Sequence, residues 1–336
     1  MSTTSIDTEQ PIRLHAARPA CAESASTTGF QHEAMLYGGD DAFLVGTLCF
    51  LREGIAHGEP AMVVVAPHKI ALLREALGAD AQHVRFEDMG RVGANPARII
   101  PAWTEFVREA GGAEQTLRGI GEPISASRSG GELFECQRHE SLLNLAFAHA
   151  ADFRLLCPYD VDALDPAVVA HARCTHPLVQ DVDGQVRHST TFHGLADAAE
   201  PCRAPLPQPP ADAQEIPVMP AGMTAMRALV ARRAARAGLT PQQGEDLVLA
   251  VNELATNSIL HGSGAGTLTI WETSAALVCE VTDAGRLTDP LAGRALPEPG
   301  QVGQYGLWLV NQLCDLVEQR MLPHGNLVRV SMVRAT

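Results

Sequence analysis

A carboxylate and an amide four residues apart are the first candidates for chemistry in this sequence. Glu253 and Asn257 lie in NELATNSILHG, a stretch whose apolar residues have helical spacing. Residues four apart on a helix project from the same face, so a carboxylate and an amide oxygen can converge on one point. Such pairs are also common on solvated helix surfaces, and the pair alone does not identify a site.

An aspartate follows at the end of the alternating strand ALVCEVTD. A carboxylate at this position, Asp283, can accept a hydrogen bond from an exocyclic amine, and Gly285 would let a ring approach the backbone. Gly303 and Gly306 then precede an apolar helix in GQYGLWLV, and a glycine-opened helix N-terminus can bind phosphates. Residues 286–302 between them are rich in Pro, Gly and charge, which is typical of a mobile lid.

Local signals indicate the elements that hold these residues. Thr240 and Gln243 form a capping box with Pro241 at the first helical position, so a helix should begin there and stop at Gly262. TLTIWET and ALVCEVTD predict two adjacent strands, and a hairpin around PHGN closes the sheet. The C-terminal region is therefore predicted to be an α+β layer of sheet and helices.

Three segments in this order, NELATNSILHG, VTDAGR and GQYGLWLV, resemble the N, G1 and G2 boxes of the GHKL ATP-binding superfamily. The ILHG ending resembles the anti-sigma-factor serine/threonine kinase branch. The resemblance implies a Bergerat sandwich with Mg-ATP between the helices and the lid. It also implies that Asn257 holds Mg²⁺, that Glu253 acts as general base or orients it, and that Asp283 binds the adenine amine. The glycines that would shape the nucleotide pocket are Gly285, Gly303 and Gly306.

The sequence departs from the family pattern in two places. Leu287 stands where the G1 box usually has a second glycine, and Asn326 and Leu327 replace a threonine that the family often carries on its last strands. Both changes can weaken nucleotide affinity without abolishing it, so retention of kinase activity is left open.

The N-terminal half alternates short apolar strands, such as AMVVVAP and FRLLCPY, with helical segments. This alternation predicts an α/β domain with a mainly parallel sheet, and no GxxxxGK[ST] phosphate loop is present. HEAMLYGG, RGIGEP, QRHESLLN and LCPYD resemble the MEDS (methanogen/methylotroph, DcmR-like) sensory domain. The resemblance implies a RecA-like layout and a small-molecule ligand, with a pocket at the carboxyl ends of the strands. The candidate pocket residues are His32, Tyr37, Glu122, His139 and Tyr159.

Composition divides the chain and limits its partners. We predict a disordered tail at 1–28, a sensory domain at 29–198, a linker with seven prolines at 199–220 and an ATP-binding domain at 221–336. A net charge of −14 argues against direct nucleic-acid binding. No apolar run reaches the length of a membrane span and no secretory signal is visible, so we expect a cytoplasmic protein. HARCTHP, with His171, Cys174 and His176, lacks a second ligand pair and does not favour a metal site.

These features predict a regulator in which a ligand-sensing domain controls an anti-sigma-factor type serine/threonine kinase. Its partners would be a sigma factor, an antagonist protein that is phosphorylated, or both, and a homodimer is left open. One alternative is an atypical histidine kinase, because His139 precedes Glu140 on a predicted helix. Another is an ATP-binding module that sequesters its partner without catalysis.

Overall fold

The structure, a computed structural model, describes residues 29–110, 115–150, 152–295 and 305–334. The tail predicted for residues 1–28 lies outside these ranges. One seven-stranded sheet and one five-stranded sheet organise the described chain. Within those ranges, no helix has both the length and the apolar composition that crossing a membrane requires.

The N-terminal sheet is mostly parallel. Its strands are β1 (Phe30–Tyr37), β2 (Ala61–Val65), β3 (Val84–Asp88), β4 (Leu117–Gly121), β5 (Phe153–Asp160), β6 (Leu178–Gln180) and β7 (Val186–His188). They lie in the order β3-β2-β4-β5-β1-β6-β7, and each neighbouring pair is parallel except β6 with β7. The predicted α/β domain with a mainly parallel sheet is confirmed.

Helices cover both faces of this sheet. They are α1 (Gly39–His57), α2 (Pro67–Leu77), α3 (Met89–Val92), α4 (Ile99–Glu109), α5 (Gly130–Ala146) and α6 (Pro166–Thr175). Strand β1 contributes to two cores, because alternate side chains point to opposite faces. Ala34 and Leu36 pack in the core under α4, α5 and α6, whereas Met35 and Tyr37 pack in the core under α1 and α2.

The C-terminal sheet is antiparallel and packs against helices. Its strands are β8 (Gln214–Val218), β9 (Gly266–Glu272), β10 (Ala276–Asp283), β11 (Leu316–Leu322) and β12 (Gly325–Val333), and its helices are α7 (Met223–Arg236), α8 (Pro241–His261) and α9 (Tyr305–Leu313). The strand order is β11-β12-β10-β9-β8, with every neighbouring pair antiparallel. This arrangement confirms the predicted α+β sandwich.

Local sequence signals correctly predicted both ends of α8. The capping box of α8 forms as predicted: Gln243 N donates to Thr240 Oγ1 at 3.2 Å, and Thr240 N donates to Gln243 Oε1 at 3.0 Å. The helix ends at His261, directly before Gly262.

Within the segment predicted as a linker, residues 214–218 form β8, an edge strand that pairs with β9. An edge strand tolerates Pro217, which has no backbone N–H to donate.

The two halves share a polar interface at the C-terminal end of α9. Asn95 Nδ2 donates to the carbonyls of Asn311 and Cys314 at 3.1 and 3.3 Å. Arg98 donates to the carbonyls of Asn311, Gln312 and Cys314 at 2.8, 2.7 and 3.0 Å. The last carbonyls of a helix have no partner within the helix, and a cation there also favours the helix dipole. The N-terminal half therefore caps a helix of the C-terminal half.

Candidate functional site

Helix α8 and the first turn of α9 bring three of the predicted nucleotide-site residues together. The apolar stripe of α8, including Leu247 and Val251, is buried in the C-terminal core, which leaves Glu253 and Asn257 half-buried on another face. Gly306 lies over both side chains: a Cβ atom there would be 3.1 Å from Glu253 Oε2 and 3.3 Å from Asn257 Nδ2. The backbone of α9 thus approaches the carboxylate and the amide closely because Gly306 has no side chain.

Strand β10 delivers Asp283 to the other side of the site. Ser258 Oγ donates to its Oδ2 at 2.9 Å, and Gly285 N and Asn326 Nδ2 donate to its Oδ1 at 2.7 and 3.2 Å. These donors fix the orientation of the carboxylate, and Oδ2, which accepts one hydrogen bond, keeps a further lone pair for a ligand amine. Neither Ser258 nor Asn326 was predicted as a partner of Asp283. Ser258 directly follows the predicted site residue Asn257, and this adjacency could have indicated that Ser258 belongs to the site.

Residue 285 packs so closely against the end of α8 that only glycine fits there. A Cβ atom at this position would lie 2.7 Å from His261 O and 2.9 Å from Gly262 Cα. Such distances are shorter than real Cβ contacts, so any side chain would push the loop after β10 away from the helix. Gly285 therefore holds Asp283 against α8.

A cavity of about 400 Å³ opens between α8, β10 and the residues that follow β10. Its lining includes Asn257, Asp283, Leu287, Gly293 and Asn326. This volume lies within the roughly 300–1,000 Å³ of small-molecule sites. Carboxylate and amide oxygens are also the protein ligands that Mg²⁺ accepts, so the residues present fit a magnesium nucleotide. Of the other predicted residues, Glu253 lies beside Gly306 rather than in the cavity lining, and Gly303 lies outside the described residues.

The predicted lid is described from residue 286 to residue 295 and is anchored on both halves of the chain. On the C-terminal side, Leu287 N donates to Asn326 Oδ1 at 2.8 Å, and Asn311 Nδ2 donates to Gly293 O at 2.9 Å. Leu291 packs against the core of the N-terminal half. The departure at Asn326 therefore has a structural role, because this side chain joins the lid to Asp283.

A buried carboxylate on α5 holds the lid to the N-terminal half. Glu135 accepts from Arg138 at 2.8 Å, from the lid residue Arg294 at 3.0 Å and from Arg320 of β11 at 2.7 Å. Burial by itself would raise the pKa of Glu135, but the three guanidinium groups hold it below its usual value. Burial lowers the pKa of Arg294 to about 10, which leaves it charged at neutral pH. We call these four residues the Glu135 cluster; the sequence patterns did not indicate it.

Two of the five predicted sensory residues meet at the carboxyl ends of the parallel strands. Tyr37 Oη donates to Glu122 Oε1 at 2.5 Å, and Lys69 Nζ donates to Glu122 at 2.6 and 2.8 Å and also to Tyr37 Oη. Burial raises the pKa of Glu122, although Lys69 acts against this shift. The three residues line a cavity of about 330 Å³. Lys69 was not predicted, although it lies in the first turn of α2, the helix that follows β2.

The other three, His32, His139 and Tyr159, lie on the opposite face of the sheet, between the strands and α5. Each is at most 1% exposed. His32 contacts Asn144 and Glu140 of α5, both at 3.1 Å. His139 Nδ1 and Tyr159 Oη have no hydrogen-bond partner among the described residues. The structure thus divides the predicted sensory pocket into two separate places.

Comparison with known proteins finds a matching family model in each half of the chain. The family model of the MEDS domain (MEthanogen/methylotroph, DcmR Sensory domain) matches residues 31–177, and that of the histidine kinase-like ATPase domain matches residues 216–332. No curated protein matches the chain. Among solved structures, the chain is similar to the RsbU and RsbW domains of Rv1364c from Mycobacterium tuberculosis, at 16% identity and a TM-score of 0.28. The match covers 38% of this chain and 35% of that one, so it spans about a third of that chain.

Proposed function

Because the chain joins a MEDS sensory domain to a histidine kinase-like ATPase domain, we propose that it is a signalling regulator whose ligand-sensing half controls an ATP-dependent protein kinase. The acceptor is a serine or threonine of a protein antagonist, as in anti-sigma-factor kinases, and a sigma factor is the second partner. The protein works in the cytoplasm, where ATP and such partners are present.

The observation that carries this proposal is the position of Glu253 and Asn257 under the backbone of Gly306, beside a cavity that ends at Asp283. Asp283 accepts a hydrogen bond from the adenine amine, and the N-terminus of α9 faces the phosphates. Asn257 provides an oxygen ligand for Mg²⁺, which neutralises phosphate charge when it is bound. Gly303, together with Gly285 and Gly306, belongs to the proposed backbone wall of this pocket.

Glu253 is proposed as the general base. Its carboxylate takes the proton of the incoming serine or threonine hydroxyl while that oxygen bonds to the γ-phosphorus. The bond between the γ-phosphorus and the bridging oxygen breaks, and ADP leaves with the electron pair. Protein phosphoryl transfer depends mostly on positioning and charge stabilisation, with a general base contributing about 10²–10⁴-fold.

Regulation is proposed to act on the lid. Arg294 and Leu291 of the lid are docked on the N-terminal half through the Glu135 cluster and an apolar contact. A ligand can alter ATP turnover only if it binds the docked and the released arrangement with different affinity. The cavity beside Tyr37, Lys69 and Glu122 offers charged and hydroxyl groups to such a small molecule.

The histidine-kinase alternative is disfavoured by burial. His139 is 1% exposed on α5, and burial lowers its pKa to about 3. The γ-phosphate of ATP could reach that ring only after α5 separates from the sheet. The sequestering alternative differs from the kinase only in turnover and is decided by experiment.

The test is to incubate the full chain with Mg²⁺, γ-labelled ATP and candidate antagonist proteins, with Glu253→Gln as the matched variant. We expect label on the antagonist that survives acid and is strongly reduced in the variant. An acid-labile label that disappears in His139→Ala would establish the histidine-kinase alternative instead. ATP binding without any transferred label would support the sequestering module.

A further inference from the structure

Four buried side chains from four parts of the fold meet beneath α5. They are His32 of β1, Glu140 of α5, Cys157 of β5 and His176 directly after α6, and none is more than 2% exposed. One nitrogen, oxygen or sulfur atom from each lies within 4.8 Å of all the others. The thiol of Cys157 is free. We call this group the Cys157 cluster.

The hydrogen bonds around His32 fix which ring nitrogen carries the proton. Asn144 Nδ2 donates to the carbonyls of Glu140 and Thr175 at 3.3 and 2.8 Å, so its Oδ1 faces the other way. That oxygen lies 3.1 Å from His32 Nδ1 and can only accept. In the neutral ring, Nδ1 of His32 therefore holds the proton, and Nε2 directs a lone pair at Glu140.

His176 has the same arrangement. Its Nδ1 lies 2.8 Å from the carbonyl of Ala172, which can only accept, so Nδ1 holds the proton. Its Nε2 lies 3.3 Å from Glu140 Oε2 and makes no hydrogen bond among the described residues. Metal-binding histidines characteristically donate the other ring N–H to a carbonyl or carboxylate oxygen in this way.

Two nitrogen lone pairs thus face one carboxylate oxygen, at 3.1 Å from His32 and 3.3 Å from His176. Without a positive charge between them these atoms repel. Glu140 Oε1 also has no hydrogen-bond partner among the described residues. Buried polar atoms are normally satisfied, so the unpartnered His176 Nε2 and Glu140 Oε1 are placed where a cation could bind them.

Three of the separations match those of ligands around one small metal ion. Ligands at about 2.0–2.3 Å from a tetrahedral centre lie roughly 3.3 Å apart for a nitrogen and an oxygen, and roughly 3.5 Å apart for a nitrogen and a sulfur. In the Cys157 cluster, His32 Nε2 lies 3.1 Å from Glu140 Oε2 and 3.4 Å from Cys157 Sγ. A thiolate and a carboxylate together balance the charge of a divalent ion.

We propose that His32, Glu140, Cys157 and His176 bind one tetrahedral divalent transition-metal ion, and that Zn²⁺ is the best chemical match. Imidazole, thiolate and carboxylate are the ligands that zinc takes, and a site closed by four protein ligands is typical of a structural zinc. The nearby His171 and Cys174 line a different cavity and are not part of the site. They therefore offer matched controls.

The experiment uses the full chain without an affinity tag that contains histidines. Metal content is measured after purification, and the metal-free chain is then titrated with Zn²⁺ against a chromophoric chelator and with Co²⁺ by absorption spectroscopy. We expect one zinc per chain, a tetrahedral Co²⁺ spectrum and a thiolate-to-cobalt charge-transfer band. Asn144→Ala should keep the band and weaken zinc binding about 10–100-fold, since it supports a ligand without being one.

Cys157→Ser should abolish the charge-transfer band, whereas Cys174→Ser and His171→Gln should leave the band and the zinc affinity unchanged. The proposal is overturned if the folded wild-type chain binds neither zinc nor cobalt. It is also overturned if cobalt binds without a thiolate band, or if the band is lost in Cys174→Ser rather than in Cys157→Ser. The wild-type measurements decide the matter even if the Cys157 variant does not fold.

Discussion

Removing the guanidinium group of Arg294 should release the lid and strengthen ATP binding. Arg294 Nη2 lies 3.0 Å from Glu135 Oε2, and the two side chains are 2% and 1% exposed. In Arg294→Ala, Glu135 keeps Arg138 at 2.8 Å and Arg320 at 2.7 Å, so no buried carboxylate is left unpaired. The variant therefore tests docking of the lid and not the integrity of the Glu135 cluster.

The expected gain in ATP affinity follows from the hydrogen bond to Glu135 that the lid loses in Arg294→Ala. A hydrogen bond to a charged group contributes about 1.5–3 kcal/mol. Part of this is offset, because Arg294 Nη1 is buried without a hydrogen-bond partner among the described residues. We expect about 1–2 kcal/mol of net docking energy, which corresponds to roughly a 5–30-fold gain in ATP affinity if the docked lid restrains binding.

The assay is titration calorimetry of the full chain with Mg-ATP. Arg203→Ala is the matched control, because it removes an exposed arginine that pairs with Glu200 at 2.7 Å, and it should leave the affinity unchanged. Hydrogen exchange of residues 286–295 reports whether the lid is released. The reasoning is refuted if exchange rises in Arg294→Ala while the ATP affinity stays within about twofold of wild type.

Four further outcomes concern the ATP site. Mg-ATP should raise the melting temperature of the wild type by mass action, and Asn257→Ala should remove the magnesium dependence of that shift. Asp283→Asn should weaken binding of ATP more than binding of inosine triphosphate, since losing the acceptor costs about 1–3 kcal/mol; equal losses would contradict adenine recognition. Glu253→Gln should retain ATP binding and slow transfer about 10²–10⁴-fold, and transfer at the wild-type rate would exclude it as the base. Residues 211–336 alone should show ATP affinity or transfer changed by several-fold, and values identical to the full chain would remove the regulatory role of the N-terminal half.

The sequence by itself determined the elements whose signals are local. The capping box at Thr240 and Gln243 fixes the start of α8 because both hydrogen bonds form within one turn. The four-residue spacing of Glu253 and Asn257 places them on one helix face in any fold that keeps the helix. Short apolar runs likewise predicted the buried parallel strands, since a strand covered on both faces needs no polar alternation.

The structure separates residues that were predicted to line one pocket, and a local rule could have indicated this separation. Strand β1 places His32 with Ala34 and Leu36 on one face and Tyr37 on the other, because side chains alternate along a strand. A single pocket could not include both His32 and Tyr37 side chains. The MEDS resemblance supplied the residues but not the faces on which they lie.

Only the tertiary structure shows that the residues of the Cys157 cluster and of the Glu135 cluster meet. His32 meets Glu140 and Cys157, which are 108 and 125 positions away, because β1 lies next to β5 and under α5. Glu135 meets Arg294, 159 positions away, because the two halves of the chain dock. Spacing in the sequence carries no information about such contacts, since they depend on strand order and on domain packing rather than on helical or strand periodicity.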